Sequence, residues 1–260
     1  MRTRILLIAV VCAAAAASIP TAVSFAGQPT PAAPALLWDG DPARGTRVFD
    51  GLERAPGTVT VADEGQYGRS FRYETWDNPD GSKERCESRG MRNPDGSVFR
   101  LDRSRLNQTY YVGWRSKLNP MPITRGRWIA FWQLHWSGAG PGGGPMTLRT
   151  LGDGSLHLQY VSPNGAVDRN IWRAPLPLNT WVSFVVAYRL TTDSTGYIEF
   201  WYDGVKQRFT DGRDRWTGPI FKGTHVNNKW GVYRSGPNSG RAVHWVSHPR
   251  LGTTYESVAP

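Results

Sequence analysis

Trp128-Ile129-Ala130-Phe131-Trp132-Gln133-Leu134-His135-Trp136 carries the pattern from which the fold is read. Successive side chains of a strand point to opposite faces of its sheet. One parity holds Trp132, Leu134 and Trp136; the other holds Phe131, Gln133 and His135. The heavy apolar set belongs in a core. That leaves Gln133 and His135 side by side on the solvent face. Taken alone, the pair reads as ordinary surface polarity.

Outward from this strand the same texture recurs. Strand-like runs fall at 58–62, 69–73, 110–115, 127–136, 146–150, 155–160, 181–190, 197–202, 229–234 and 242–251. Turn chemistry separates them: Asn-Pro-Asp-Gly at 78–81 and again at 93–96, Gly152-Asp153-Gly154, Pro163-Asn164-Gly165 and Asp203-Gly204. No long segment keeps the apolar period of a helix. The chain has 260 residues, with 29 Gly and 19 Pro spread as punctuation, which excludes collagen and predicts many short strands. A hydrophobic fraction of 39%, with 12 Trp, supplies a core and excludes wholesale disorder. The expected architecture is an all-β sandwich of the jelly-roll kind.

The first residues stand apart. Met1-Arg2-Thr3-Arg4 is basic, 6–19 is apolar and alanine-rich, and Ser24-Phe25-Ala26 offers small residues for cleavage. Residues 1–26 are expected to be a secretory signal peptide, 27–35 a Pro/Ala-rich linker and 36–260 a single domain. Pro20 closes the apolar run short of a membrane span, so no membrane partner is expected. Past the leader only Cys86 remains, so the secreted domain has no internal disulfide. A formal net charge of +10 favours an anionic partner: nucleic acid, an acidic polysaccharide or a cell surface.

Two further segments repeat the parity of the first. In Lys229-Trp230-Gly231-Val232-Tyr233, Trp230 and Val232 take the core side, while Lys229 and Tyr233 share the other. Gly231 between them leaves an open groove floor on this reading. In Arg85-Cys86-Glu87-Ser88-Arg89, the small Cys86 and Ser88 suit burial, and Arg85, Glu87 and Arg89 share the opposite face. Each segment alone reads equally as a solvated surface stripe. Placed in one sheet, the three put Arg, Gln, His, Lys and Tyr into one groove. That collection suits removal of the proton α to a sugar carboxylate, followed by loss of the C4 substituent. Arg and Gln donors neutralise the carboxylate, and His135 or Tyr233 serves as base. The same Tyr then returns a proton to the leaving oxygen. No metal or redox cofactor is required.

The three segments resemble motifs of one clan. Arg85-Cys86-Glu87-Ser88-Arg89 resembles the Arg-(Ser/Thr)-Glu-(Leu/Val)-Arg of jelly-roll alginate lyases. Gln133-Leu134-His135 resembles their Gln-Ile-His. Lys229-Trp230-Gly231-Val232-Tyr233 resembles their Lys-Ala-Gly-x-Tyr, and more closely the Lys-Trp-Gly-x-Tyr of heparin lyase I. The overall character is similar to glucuronan lyases. The resemblance implies a concanavalin-like β-jelly roll, a single domain with a concave cleft. It implies that Gln133 and Arg85 neutralise the carboxylate, that His135 is a base or positioning group, and that Tyr233 is the acid and also a base. Arg89, Lys229, Glu87 and Arg115 are the expected substrate-binding residues. The departures at Cys86, Ser88 and Trp230 turn the expectation from alginate toward a glucuronan- or heparin-type chain. Calcium, as a structural ion, enters by resemblance only, since no loop has a specific ligand spacing. A monomer without nucleic-acid partners is expected.

Other features stay open. The run 137–145, rich in glycine, is either a flap at the cleft mouth or a plain connector. Trp114, Trp172 and Trp201 are candidates for stacking on sugar rings. The alternative function is a non-catalytic module binding acidic polysaccharide, which needs no Tyr/His pair. A glycoside hydrolase needs two carboxylates that the strands do not offer, and a nuclease needs a metal-ligating cluster that is not evident.

Overall fold

In the computed structural model the Gln133 strand, Trp128–Ser137, sits near the middle of an eight-stranded antiparallel sheet. Residues 35–78, 84–122, 124–140, 143–236 and 240–260 are described. The expected leader and all but Ala35 of the expected linker lie outside them. Across the site sheet the strand order is Asp168–Pro175, Ser155–Val161, Met146–Leu151, Trp128–Ser137, His225–Arg234, Glu84–Arg89 and Gly51–Ala55. A nine-stranded sheet built on Thr109–Leu118 and Ala242–Gly252 packs against it. The expected all-β jelly-roll sandwich is what the chain forms. No helix among the described residues is long and apolar enough to cross a membrane.

Aromatic side chains lock the two layers together. Trp114 of the opposing sheet stacks on Trp132 at 5.2 Å and meets Trp230 edge-on at 6.1 Å. All three indoles are fully buried. Each removes on the order of 200 Å² from water, worth roughly 5 kcal/mol before entropy. Trp114 and Trp172 are therefore core residues and not sugar-stacking ones. Trp201 lies on the nine-stranded sheet, against Tyr111 and Tyr255.

Two local readings change. Strict alternation assigned Phe131 to the cleft side, but Phe131 is 1% exposed and packs on Phe184 and His244. The register slips between Ala130 and Trp132 against both neighbouring strands, as a β-bulge does. Phe131 turns inward there. Trp128 and Ala130 consequently face the cleft together with Gln133 and His135. Gly231 is not an open groove floor either. Its φ is 154°, and a Cβ there would sit 2.1 Å from the Cys86 carbonyl oxygen. The close approach is by the neighbouring strand's own backbone. The Gly231 carbonyl also accepts from His244 Nδ1 at 2.9 Å. Burial pushes that imidazole down to about 3, so it is neutral.

The glycine gives a direct test. Gly231→Ala is expected to lower stability by about 3 kcal/mol, because the clash is with backbone that cannot move aside. Chemical denaturation reads this, and a loss below about 0.5 kcal/mol contradicts the packing described.

Candidate active site

The site is built by pairing across three strands. Ala130 stands opposite Tyr233, Gln133 opposite Lys229 and His135 opposite Asn227. On the far side of that strand, Tyr233 is opposite Arg85 and Lys229 opposite Arg89. Residues paired in this way share a face. Arg85, Gln133, His135 and Tyr233 accordingly line one cavity of about 540 Å³, as the sequence predicted. The small Ala130 leaves the cavity open beside the phenol. Trp128 closes its end, edge-on to Tyr233 at 5.3 Å. The Arg85 guanidinium lies 5.3 Å over the Tyr233 ring.

Beneath the cavity runs a buried ion network. Lys229 and Glu87 are each 2% exposed. Lys229 Nζ lies 2.8 Å from Glu87 and 3.0 Å from Glu53. Glu53 also holds Arg85 Nε at 2.9 Å. Gln133 Nε2 donates to Glu87 Oε1 at 2.6 Å. Burial works against the charge on Glu53, but Lys229, with Arg85 and Arg89, outweighs it and holds the carboxyl below its usual range. Burial, reinforced by the charge of Lys229, pushes His135 down to about 4. Its imidazole is neutral at pH 7 and able to accept a proton.

The remaining expected binding residues divide. Lys229 and Glu87 belong to the constellation but lie under its floor, out of a ligand's reach. Arg89 stands at the rim, exposed, 3.8 Å from Glu53. Arg115 does not belong to the site. It sits on the nine-stranded sheet, with its guanidinium 4.4 Å over Tyr67. Cys86 and Ser88 are fully buried and face away from the cavity. The Cys86 thiol donates to the Thr58 carbonyl at 2.7 Å, and burial pushes it up to about 12.

Three residues of the site were not anticipated: Trp128 and Arg149, which line the cavity, and Glu53 of the ion network. Arg149 was readable, since Met146-Thr147-Leu148-Arg149-Thr150 alternates as cleanly as any strand. Glu53 sits on a five-residue strand without such alternation. Of the glycine run, Gly143 and Gly144 line the cavity, while 141 and 142 lie outside the described residues. Among the described residues no group of three or more His, Cys, Asp or Glu side chains is placed to hold a metal ion. The calcium raised by resemblance finds no acidic cage there.

Two packed antiparallel sheets with a polar cleft on one outer face are the frame of a jelly-roll enzyme that works on a chain laid across it. A family model described as polysaccharide lyase matches residues 50–249, and the chain belongs to the polysaccharide lyase family. Solved structures share the fold. An endo-β-1,4-glucuronan lyase from the fungus Trichoderma reesei superposes with a TM-score of 0.64 at 18% identity, over 86% of this chain and 98% of that one. The alginate lyase AlgAT5, of polysaccharide lyase family 7, gives 0.51 at 16% identity, over 78% and 85%. An alginate lyase from Corynebacterium sp. gives 0.51 at 15%, over 76% and 82%. No curated protein matches the chain by sequence.

The buried network and the rim respond differently to substitution. Lys229→Met is expected to lower stability by about 3 kcal/mol, since it takes the ammonium from the buried Glu87 and leaves Glu53 to Arg85 and Arg89. Arg89→Ala is expected to lower it by less than about 1 kcal/mol. Equal losses in thermal or chemical unfolding contradict this division.

Proposed function

We propose that the protein is a secreted lyase that cleaves a uronate-containing polysaccharide by β-elimination, with a glucuronate-type chain as its substrate. The observation that carries the reading is the convergence of Arg85, Gln133, His135 and Tyr233 on one cavity. The basic, cleavable start at 1–26 supports secretion. The near-complete coverage of the fungal glucuronan lyase supports the substrate class. The departures at Cys86, Ser88 and Trp230 do not, because all three point into the core.

The chemistry follows from what each group has free. Glu87 takes one Gln133 N–H, and the other remains for a ligand. With Arg85 it receives the uronate carboxylate and stabilises the dianion that forms when the C5 proton leaves. The C5–H electron pair becomes the C4–C5 double bond, and the C4–O bond breaks. The departing oxygen takes its proton from Tyr233. In a gluco-configured unit the C5 proton and the C4 oxygen lie on the same face, so Tyr233 serves as both base and acid. In the C5 epimer they lie on opposite faces and two groups are needed. His135 and Ala130, the residue opposite Tyr233, are five residues apart on one strand, roughly 17 Å of backbone by the usual rise per residue, so the two side chains approach a bound sugar from opposite ends of the cleft.

Elimination creates a conjugated, ultraviolet-absorbing uronate, whereas hydrolysis does not. Wild-type protein incubated with glucuronan, alginate, heparin or hyaluronan is expected to generate that absorbance most strongly with glucuronan. Tyr233→Phe is expected to reduce it about a thousandfold with the fold intact. His135→Asn is expected to spare glucuronate chains relative to their C5 epimers. Reducing ends without new absorbance rule out elimination.

The pH profile tests His135 separately. Its imidazole is lowered to about 4, so the neutral form persists as the pH falls through 6.5 and is lost only near 4. On substrates that need His135 as base, the acid limb of kcat/KM is expected near pH 4. A limb near 6.5 instead assigns it an ordinary, solvated environment.

A further inference from the structure

One row of side chains crosses the site sheet beyond the catalytic groups. Tyr233 is opposite Ala130, Ala130 opposite Arg149, Arg149 opposite His157, and His157 opposite Arg173. Arg149 lines the same cavity as Tyr233, about 10 Å from it by two strand spacings. Its surroundings are unusual for a half-buried cation. Arg149 Nη2 donates to Asn170 Oδ1 at 2.9 Å. Its Nε is buried without a partner. Asp168, the acid among the residues lining the cavity, is engaged by Gln159, and no ion pair joins it to Arg149. Arg85, at the other end of the row, also has its Nε without a hydrogen-bond partner, but it lies 2.9 Å from the Glu53 carboxylate, an ion pair that Arg149 lacks. The charge of Asp168 reaches Arg149 only from beyond ion-pair range and does not offset the burial, and a ligand anion within hydrogen-bond range does.

We propose that Arg149 is a specificity-determining residue that binds the carboxylate of a second uronate on the same chain. This rests on the function proposed above and extends it from one uronate to a run of them. The small Ala130 between Tyr233 and Arg149 provides floor for the intervening part of the chain. Asn170 holds Nη2, and Nη1 is the donor of this cavity-lining arginine that remains for a ligand. A chain with an acidic group only at the reacting sugar gains nothing from this arginine.

Steady-state kinetics on glucuronan is the test, with Arg149→Met and Arg149→Lys. Arg149→Met keeps the stem and is expected to raise KM about tenfold, the loss of one charged hydrogen-bonded contact, with the defect falling on KM rather than kcat. Arg149→Lys keeps the charge and loses the fork, and is expected to lie between wild type and Met. It also keeps the test alive if Arg149→Met proves unstable by thermal melting. An unchanged KM in both variants while wild type still eliminates overturns the inference and leaves the function standing. A defect seen only with a sulfated chain such as heparin overturns the assignment to carboxylate. If wild type eliminates no polymer, the function fails instead, and equilibrium binding of glucuronan decides the inference. About tenfold weaker binding by Arg149→Met sustains it, and equal binding ends it.

Discussion

Lys229 is a buried ammonium, and much of the cleft is organised by its compensation. An unpaired charge at that depth is expensive. Glu87 at 2.8 Å and Glu53 at 3.0 Å supply the counter-charge. Each carboxylate then does a second job. Glu87 can only accept, so the Gln133 amide must turn its nitrogen toward it, which fixes the orientation of that side chain. Glu53 takes Arg85 Nε, which sets the guanidinium over the Tyr233 ring. Desolvation offsets most of the attraction in such a pair. Its contribution is alignment: two cavity-lining hydrogen-bond donors on different strands are indexed to one buried lysine.

The core sets the height and angle of that network. Trp132 and Trp230 are opposite one another in register, and both are held by Trp114 from the facing sheet. Their cleft-side neighbours are Gln133 and Lys229. Between these strands three residue steps, 230 to 233, match two on the partner, 132 to 130, and so bring Ala130, the smallest residue of its strand, opposite Tyr233. A regular ladder there puts a phenylalanine ring into the cavity. His244, neutral and buried, ties the Gly231 carbonyl at the centre of the Tyr233 strand to the opposing sheet through Ser116.

Strand parity made much of this legible before any coordinates. Gln133 with His135, Lys229 with Tyr233, and Arg85 with Glu87 and Arg89 were each read onto one face, and each sits there. Parity fails where the ladder is irregular, because a bulge is a property of two strands in register and one strand's residues do not reveal it. Phe131 was misjudged for that reason, and Ala130 and Trp128 were given no place in the cleft. It also says nothing about which sheet a strand joins. Arg115 alternates as Arg149 does, yet it decorates the nine-stranded sheet and Arg149 the cleft. Burial of the charges was illegible too. An Arg-x-Glu-x-Arg stripe looks solvated until Glu53 and Lys229 close over it.

The same parity rule changes how motif departures should be weighed. Each of the segments resembling the lyase motifs interleaves two kinds of position. Arg85, Gln133 and Tyr233 line the cavity, and Glu87 and Lys229 form the buried ion pair beside them. Cys86, Ser88 and Trp230 meet the other sheet or the neighbouring strand: Cys86 bonds the Thr58 carbonyl, Ser88 the Tyr73 hydroxyl, and Trp230 stacks on Trp38. A change at the second kind of position reports how this sandwich packs, so it carries no information about the sugar. Substrate preference has to be sought in residues on the cleft parity of the outlying strands, where Thr147, Arg149, Gln159 and Asp168 differ in charge and reach.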